Sequence, residues 1–238
     1  MQLFYSQNLT PNDTQFSFTK QESRHIAKVL RKQIGDTLYL TNGKGEVFTA
    51  TLQSNDPKHC MVHIVNVEQK KPLPYGLHLA ISPTKLNDRF EWFLEKATEI
   101  GITQITPILC HHSERKVIKP ERYQKIILSA GKQSLKYHFP VLHPMCSFKE
   151  FLEKQEDVPH QKLIAHCQDL EKKSLKSQIK PKGNHIILVG PEGDFSATEI
   201  TLATSMGYTG VSLGENRLRT ETAAIVACHS VAYSNEAQ

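Results

Sequence analysis

The segment from Ile186 to Glu199, IILVGPEGDFSATE, sets the architecture of the second half of the chain. An apolar strand runs into a Gly-Pro-Glu-Gly loop, and Ser196 and Glu199 have the spacing of a capping box that begins a helix. Ligands of open α/β sheets bind where strands end, and glycines there let a ligand approach the backbone closely. The residues alone leave two interpretations open, a ligand loop or a tight strand-to-helix turn.

The segment from Val211 to Ala224, VSLGENRLRTETAA, has the same design. A strand ends at Gly214, a polar loop follows, and a helix begins that Thr220 is predicted to cap. Because both loops follow the carboxyl ends of strands, we expect them to line one pocket. Neither loop has the glycine spacing of a dinucleotide or phosphate-binding motif.

Strands alternate with helices from Gly76 onward, which predicts an α/β fold with a mostly parallel sheet. Asp88 and Glu91 are predicted to form a capping box for the first of these helices, which Gly101 ends. The predicted strands cover residues 76–82, 102–109, 163–167, 185–189 and 210–213, and the predicted helices cover 88–100, 120–136, 197–206 and 221–233.

The first 71 residues have a different pattern. Two β-rich runs, 36–41 and 46–52, flank an Asn-Gly-Lys-Gly turn, another strand covers 61–65, and a helical stretch covers 20–32. This mixture predicts a small β-barrel-like domain over residues 1–71. A basic, proline-containing linker ends it, and a second domain is predicted over residues 72–238.

The composition is that of a globular protein, with 39% hydrophobic and 22% charged residues. A net charge of +5 suits an acidic partner such as nucleic acid, although many proteins carry it by chance. No run of apolar residues is long enough to span a membrane, and the first residues do not form a signal peptide. The odd number of cysteines, with no C-x-x-C pair, favours a reducing cytosol, so a cytoplasmic protein is predicted. The cysteines are odd in number and lack zinc-ligand spacing, so we expect no metal.

Basic residues form clusters that could follow an RNA backbone. Lys28 and Arg31 belong to a stripe at helical spacing, although a solvated helix face is the commoner reason for such a stripe. The residues predicted to bind RNA are Arg24, His25, Lys28, Arg31 and Lys32 in the first domain, and Lys85, Arg89, Lys96 and Arg115 in the second.

Taken together, these features resemble the RsmE-type ribosomal RNA methyltransferases of the SPOUT class. The resemblance is carried by residues 25–31, 96–101 and 113–115, and above all by Gly190–Gly193 and Leu213–Ala223. It implies a PUA-like RNA-binding barrel, followed by a SPOUT-type parallel-sheet domain whose C-terminal segment forms a trefoil knot. It also implies a homodimer that binds S-adenosylmethionine and methylates N3 of a uridine in small-subunit (16S) ribosomal RNA.

The resemblance also implies site residues. Arg219 is the candidate for stabilising the uracil, with Glu192 or Glu221 as a base or orienting group. The residues expected to hold the methyl donor are Leu188, Gly190, Pro191, Glu192, Gly193, Leu213, Gly214, Leu218, Thr220 and Thr222. Lys132, Lys136 and Asp194 depart from the family pattern.

Other functions remain open at this stage. One is a non-catalytic rRNA-binding factor in ribosome assembly, which would have an idle donor pocket. Others are a tRNA ribose methylase and a plain RNA-binding module. Donor binding and analysis of the methylated product separate these functions.

Overall fold

A computed structural model describes residues 2–236, and the chain divides into two units. The first unit contains the chain up to Pro72 together with Gly131–Phe139. The second contains Leu73–Ala130 and the chain from Pro140 onward. The sequence had suggested a division between residues 71 and 72 and had placed residues 131–139 in the second domain.

The first unit is built on a curled five-stranded sheet. Its strands are β1 (Leu3–Tyr5), β2 (Gln15–Ser17), β3 (Thr37–Thr41), β4 (Glu46–Ser54) and β5 (Met61–Gln69), in the order β1-β3-β4-β5-β2. β1 pairs with β3 in parallel and the other pairs are antiparallel. Two register shifts between β4 and β5 bend the sheet, so that Phe48, Leu40 and Val62 are buried together on its inner side.

The basic helical stretch of the first unit is shorter than predicted. Helix α1 (Lys20–Arg24) is capped by Thr19, whose hydroxyl accepts from the Glu22 backbone N–H at 3.3 Å. A π-helical turn over His25–Val29 continues it, and Ile26 in that turn is fully buried. The helix does not reach the predicted residue 32, because Arg31 has a left-handed backbone with φ of 52°.

The second unit is a parallel sheet with helices on both faces. The strands are β6 (Gly76–Ile81), β7 (Gln104–Leu109), β8 (Val141–Leu142), β9 (Cys146–Ser147), β10 (Gln161–Ala165), β11 (Lys173–Ser174), β12 (Asn184–Val189) and β13 (Thr209–Ser212). Their order is β11-β13-β10-β12-β6-β7-β8, and β9 also pairs with β7. The helices are α2 (Asn87–Ile100), α3 (Pro120–Gln133), α4 (Phe148–Lys154), α5 (Leu175–Gln178), α6 (Ala197–Ser205) and α7 (Thr220–Tyr233).

Each face of this sheet has its own apolar core. Successive strand residues point to opposite faces, so Ile187 packs with α2, α3, α5 and α7, whereas Ile186 and Leu188 pack with α4 and α6. Both faces are therefore covered, which explains why the central strands are almost continuously apolar rather than alternating. The predicted α/β class with a parallel sheet is confirmed.

The helix ends test the predicted caps. The capping box of α6 is confirmed: Ser196 Oγ accepts from the Glu199 N–H at 3.3 Å, and Glu199 Oε2 accepts from the Ser196 N–H at 2.8 Å. Gly101 ends α2 with φ of 130°, as predicted. The cap predicted for α7 is wrong, because Arg219 occupies the N-cap position and Thr220 is the first helical residue.

Two other helix boundaries also differ from the prediction. Asp88 does not cap α2, which begins one residue earlier at Asn87, and the Asn87 side chain instead hydrogen-bonds Glu91. Helix α3 stops at Gln133, before the predicted residue 136, and Leu135 then has a left-handed backbone with φ of 54°. None of the helices in residues 2–236 has the length and apolar composition needed to cross a membrane.

Buried His78 gives a prediction about acid stability. Its Nε2 lies 2.7 Å from Thr106 Oγ1, and its ring packs against His143 and Phe151. Burial, with a smaller contribution from His143, lowers its pKa from 6.5 to about 3. The folded state therefore prefers neutral His78, and the unfolded chain binds more protons between these two pH values. Unfolding free energy should fall as the pH drops below 6.5, by at most about 1.4 kcal/mol per pH unit from this group.

The variant His78→Gln should reduce that pH dependence, as measured by urea unfolding at several pH values between 7.5 and 4. The variant His59→Gln, which removes an exposed histidine, serves as the matched control. Equal slopes for the His78 variant and the wild-type protein would contradict the assignment.

Candidate active site

Three neighbouring parallel strands bring their carboxyl ends together at one edge of the second sheet. Ala165 at the end of β10 pairs with Val189 of β12 on one side and with Val211 of β13 on the other. The loops 166–172, 190–196 and 213–219 therefore leave the same edge of the sheet side by side. The predicted convergence of the second and third loops is confirmed, and the first loop joins them.

Two adjoining cavities lie between these loops. The larger, of about 520 Å³, is lined by residues 165–168, Lys172, Asp194, residues 211–218 and Ala223. The smaller, of about 280 Å³, is lined by Ala165, Cys167, residues 189–192, Asp194, residues 217–220 and Ala223. Because six residues line both cavities, they form one cleft, and its size suits a cofactor or other small ligand.

Most of the residues predicted to hold the donor line this cleft. They are Gly190, Pro191, Glu192, Leu213, Gly214, Leu218 and Thr220. Leu188 instead has its side chain in the core beneath the cleft, and Thr222 lines a neighbouring cavity. Gly193 faces His112, since a Cβ at this glycine would lie 3.0 Å from the His112 Cβ.

The loop after β10 supplies lining residues that the sequence reasoning missed, among them His166, Cys167 and Gln168. His166 is buried, and burial lowers its pKa below the ordinary value. Its ring Nδ1 has no hydrogen-bond partner. The strand that precedes this loop is predicted from the sequence, at residues 163–167. Because ligands of open α/β sheets bind where strands end, the same rule indicates the loop after it as a candidate part of the site.

Asp194 links two of the three loops. Its Oδ2 accepts a hydrogen bond from the Cys167 N–H at 2.8 Å, and Gln168 Nε2 donates to the neighbouring Phe195 carbonyl at 2.9 Å. Asp194 has a left-handed backbone with φ of 62°, which Asp and Asn tolerate better than most side chains. The departure from the family pattern at this position thus has a structural role.

Glu192 and Arg115 hold the loop that follows β6. Glu192 Oε1 accepts from the Lys85 N–H at 2.9 Å. Arg115 donates through Nε to the Thr84 carbonyl at 2.9 Å and through Nη2 to the Lys85 carbonyl at 2.6 Å. The Lys85 side chain forms an ion pair with Glu114 at 2.7 Å. Glu192 therefore fixes a loop backbone amide in this structure, and its predicted role as a base or orienting group in the reaction stays a prediction.

A further cavity of about 610 Å³ adjoins the cleft and is lined by Asp88, Arg89, Trp92, Arg219, Glu221 and Thr222. Arg219 lines both this cavity and the smaller cavity of the cleft. Glu221 is only 7% exposed, and its Oε1 lies 3.5 Å from Arg89 Nη1. The two cavities could hold two reactants, with an arginine between them.

Comparisons with known proteins agree with this geometry. Residues 71–232 match a family model for an RNA methyltransferase domain, and residues 18–67 match one for an RNA methyltransferase PUA domain. Ribosomal RNA small subunit methyltransferase E of Synechocystis is 31% identical over 89% of this chain and 70% of its own length. The chain belongs to the ribosomal RNA small subunit methyltransferase E family.

Solved structures support the membership. A probable rRNA-methyltransferase of Porphyromonas gingivalis has a TM-score of 0.89 at 39% identity, covering 98% of this chain and 99% of its own. Ribosomal RNA small subunit methyltransferase E of Neisseria gonorrhoeae, solved with S-adenosylmethionine bound, has a TM-score of 0.79 at 26% identity, covering 96% and 95%. The predicted enzyme class is confirmed, and the predicted cofactor is confirmed for the family.

The basic residues predicted to bind RNA have different surroundings in this family member. Arg24, Lys28 and Arg31 are exposed, whereas His25 is half-buried and Lys32 lies 3.7 Å from Asp36. In the second unit, Lys96 pairs with both Glu95 and Glu99 on α2. No cluster of His, Cys, Asp and Glu within residues 2–236 has a geometry that would hold a metal ion.

The Asp194 contact gives a testable prediction about the cleft. The variant Asp194→Ala removes the acceptor for the Cys167 N–H and should make local opening easier by about 1–2 kcal/mol. Amide hydrogen exchange at Cys167, followed by mass spectrometry, should accelerate roughly 5- to 30-fold. The control Asp194→Asn keeps an acceptor oxygen and tolerates the left-handed backbone, so its exchange should stay near the wild-type rate. Unchanged exchange in the alanine variant would refute the linking role.

Proposed function

We propose that this enzyme transfers a methyl group from S-adenosylmethionine to N3 of a uridine in small-subunit (16S) ribosomal RNA. The observation that carries the proposal is the pair of adjoining cavities that share Arg219. A reaction between a donor and a base needs both held in line and close together. The cleft between the three loops is assigned to the donor, and the neighbouring cavity is assigned to the uracil.

The residues of the cleft fit S-adenosylmethionine. Leu213, Leu218 and Ala223 offer apolar surface for a flat adenine ring. Gly214 has φ of 126° with open space where a Cβ would be, so a ligand can approach the backbone there. The unpartnered Nδ1 of His166 marks a polar group in the lining that is not satisfied within the protein.

When bound, S-adenosylmethionine supplies an electrophilic methyl group on a positively charged sulfur. The chain's own residues must then prepare the uracil. N3 carries a proton and is a poor nucleophile until that proton leaves, which places negative charge on the ring oxygens. The Arg219 guanidinium is assigned to stabilise this charge.

Glu221 is the carboxylate assigned to accept the N3 proton. Glu221 lines the cavity assigned to the uracil, which we call the base cavity, and its ion pair with Arg89 at 3.5 Å fixes its orientation. Glu192 is less suited to this step, because its Oε1 is already bonded to the Lys85 N–H. N3 lies on the Watson–Crick edge, so the target base must be unpaired or flipped out of a helix.

Several further assignments follow from the family resemblance. The first unit would bind the RNA as a PUA-like domain, and the predicted boundary near residues 71 and 72 separates it from the methyltransferase unit. The C-terminal segment would form a trefoil knot, which accords with the insertion of β12 between β6 and β10. A homodimer is proposed, and a substrate in ribosomal RNA assigns the enzyme to the cytoplasm.

Product analysis tests the reaction. Labelled S-adenosylmethionine is incubated with small subunits or free 16S rRNA that lack the modification, and the digested nucleosides are identified by mass spectrometry. We expect label in 3-methyluridine, and Arg219→Ala should lower kcat by about 10²- to 10³-fold. Arg219→Lys should recover part of the rate, since it restores the charge but not the planar group. Label in another nucleoside would reject the N3 assignment. Donor and RNA binding without transfer would favour the assembly factor.

Trp92 allows the base cavity to be tested separately. It is the chain's single tryptophan and is 45% exposed beside Arg89 and Arg219. Substrate RNA that enters this cavity should change its fluorescence, because a stacked base alters the surroundings of the indole ring. An RNA of the same sequence with an abasic target nucleotide is the control and should give a smaller change. Equal responses to the two RNAs would contradict the location of the base.

A further inference from the structure

Residues 131–139 form an integral part of the first unit. The Gly45 N–H donates to the Tyr137 carbonyl, and the Phe139 N–H donates to the Gly43 carbonyl, each at 2.9 Å. Lys44 and His138 form an antiparallel bridge. The segment therefore adds a short extended stretch along the β3–β4 turn.

Side chains reinforce this attachment. The rings of Phe139 and Tyr5 stack with centroids 5.1 Å apart and an interplanar angle of 23°. His138 Nε2 lies 2.9 Å from the Lys70 carbonyl, which joins the segment to the end of β5. A Cβ at Gly131 would lie 2.7 Å from the Phe139 ring, so glycine leaves space for that ring. The segment is therefore held by contacts with the β3–β4 turn, with Tyr5 and with the end of β5.

The attached segment completes a basic surface, which we call the turn surface: Lys44, Lys70, Lys71, Tyr137 and His138. Lys44 and Lys71 are exposed, and the Lys70 N–H donates to the Gly45 carbonyl at 2.9 Å, which brings the end of β5 beside the turn. Lys70 Nζ lies 6.0 Å from the centre of the Tyr137 ring. Cations interleaved with an aromatic ring are a typical footprint for a nucleic acid backbone.

Nearby carboxylates neutralise only part of the turn surface. Glu68 pairs with Lys70 at 2.7 Å, and Glu46 is hydrogen-bonded to the Asn42 side chain. The charges of the exposed Lys44 and Lys71 remain available for phosphates. An acidic polypeptide could use the same charges, but the half-buried Tyr137 favours RNA, whose bases and sugars can pack against a ring.

The turn surface is separate from the basic helical stretch that carries Lys28 and Arg31. That stretch leads through Gly35 into the first residue of β3, whereas the turn follows the last residue of β3. The two sites are thus connected to opposite ends of a five-residue strand, which spans roughly 13–17 Å at about 3.3 Å per residue. An RNA strand that contacts both would lie along the hairpin.

We propose that the turn surface is a second phosphate-binding site for the RNA substrate, completed by the segment 131–139. The inference rests on the proposed function, because it takes RNA as the partner. It adds a surface to the contacts predicted from the basic helical stretch. It also assigns a role to a segment that the sequence had placed in the second domain.

The test measures binding of the full chain to a short fluorescein-labelled single-stranded RNA and to 16S rRNA, over roughly 50 to 200 mM salt. Lys44→Ala combined with Lys71→Ala should weaken binding several-fold. Loss of two phosphate contacts should make the slope of log K against log salt shallower by about 1.4. The combined Lys44→Arg and Lys71→Arg variant should restore the wild-type slope.

A matched control removes Lys149 and Lys154 instead, which are exposed on α4 and pair with Glu153 and Glu150. This pair changes the net charge equally and should leave the slope unchanged. Equal slopes for the two double alanine variants would overturn the proposal. Competition by polyglutamate as strong as by RNA would also overturn it, in favour of an acidic polypeptide.

A second variant tests the part played by the segment without altering charge. Phe139→Ala removes the stack on Tyr5 and should weaken RNA binding while the melting temperature of the second unit stays near wild type. Binding as tight as wild type would overturn the role of the segment. Methyl transfer is measured separately. If the salt slopes change as expected but no methyl group is transferred, only the proposed function is contradicted. If methyl transfer occurs but the Lys44 and Lys71 variant keeps the wild-type salt slope, only the turn surface is contradicted.

Discussion

The register of three parallel strands is the constraint on which the active site depends. Ala165 lies between Val189 and Val211, so three loops begin at the same level of the sheet. That register is held because the strands are buried on both faces, and a shift by one residue would exchange their two sets of side chains. The core therefore determines where the cleft opens, although few core residues touch it.

The loops need further support, because loop backbone has no ladder of its own. Asp194 supports one loop by accepting a hydrogen bond from the Cys167 N–H. Glu199 forms the capping box of α6 with one carboxylate oxygen, and its other oxygen accepts from the His111 N–H at 2.8 Å. Glu192 and Arg115 fix the loop after β6 in the same way, through backbone groups. Asp194, Glu199, Glu192 and Arg115 are thus used to position loops. The exposed Arg219 lines the smaller cavity of the cleft and the neighbouring cavity assigned to the uracil, and the exposed Arg217 lines both cavities of the cleft.

The sequence was most informative where local pattern and tertiary burial agree. The strands around Leu188, the capping box at Ser196 and the glycine end of α2 were predicted correctly, because each depends on residues a few positions apart. The short strands β1, β2, β8, β9 and β11 were not predicted, since strands of two or three residues carry no periodicity. The helices α4 and α5 were not predicted either. The N-cap predicted at Thr220 is wrong, because Thr220 is the first residue of the helix. The sequence alone does not distinguish a threonine at the N-cap from a threonine in the first helical turn.

Long-range placement was beyond any local pattern. The attachment of Gly131–Phe139 to the first unit depends on distant partners, since Phe139 contacts Gly43, 96 residues earlier, and Tyr5, 134 residues earlier. Nothing in the composition of 131–139 distinguishes the end of a surface helix from a segment docked on another unit. The attachment has a consequence for the chain path, however: a segment that follows the first strands of the second unit belongs to the first unit. The chain therefore passes between the two units three times, after Pro72, after Ala130 and after Phe139.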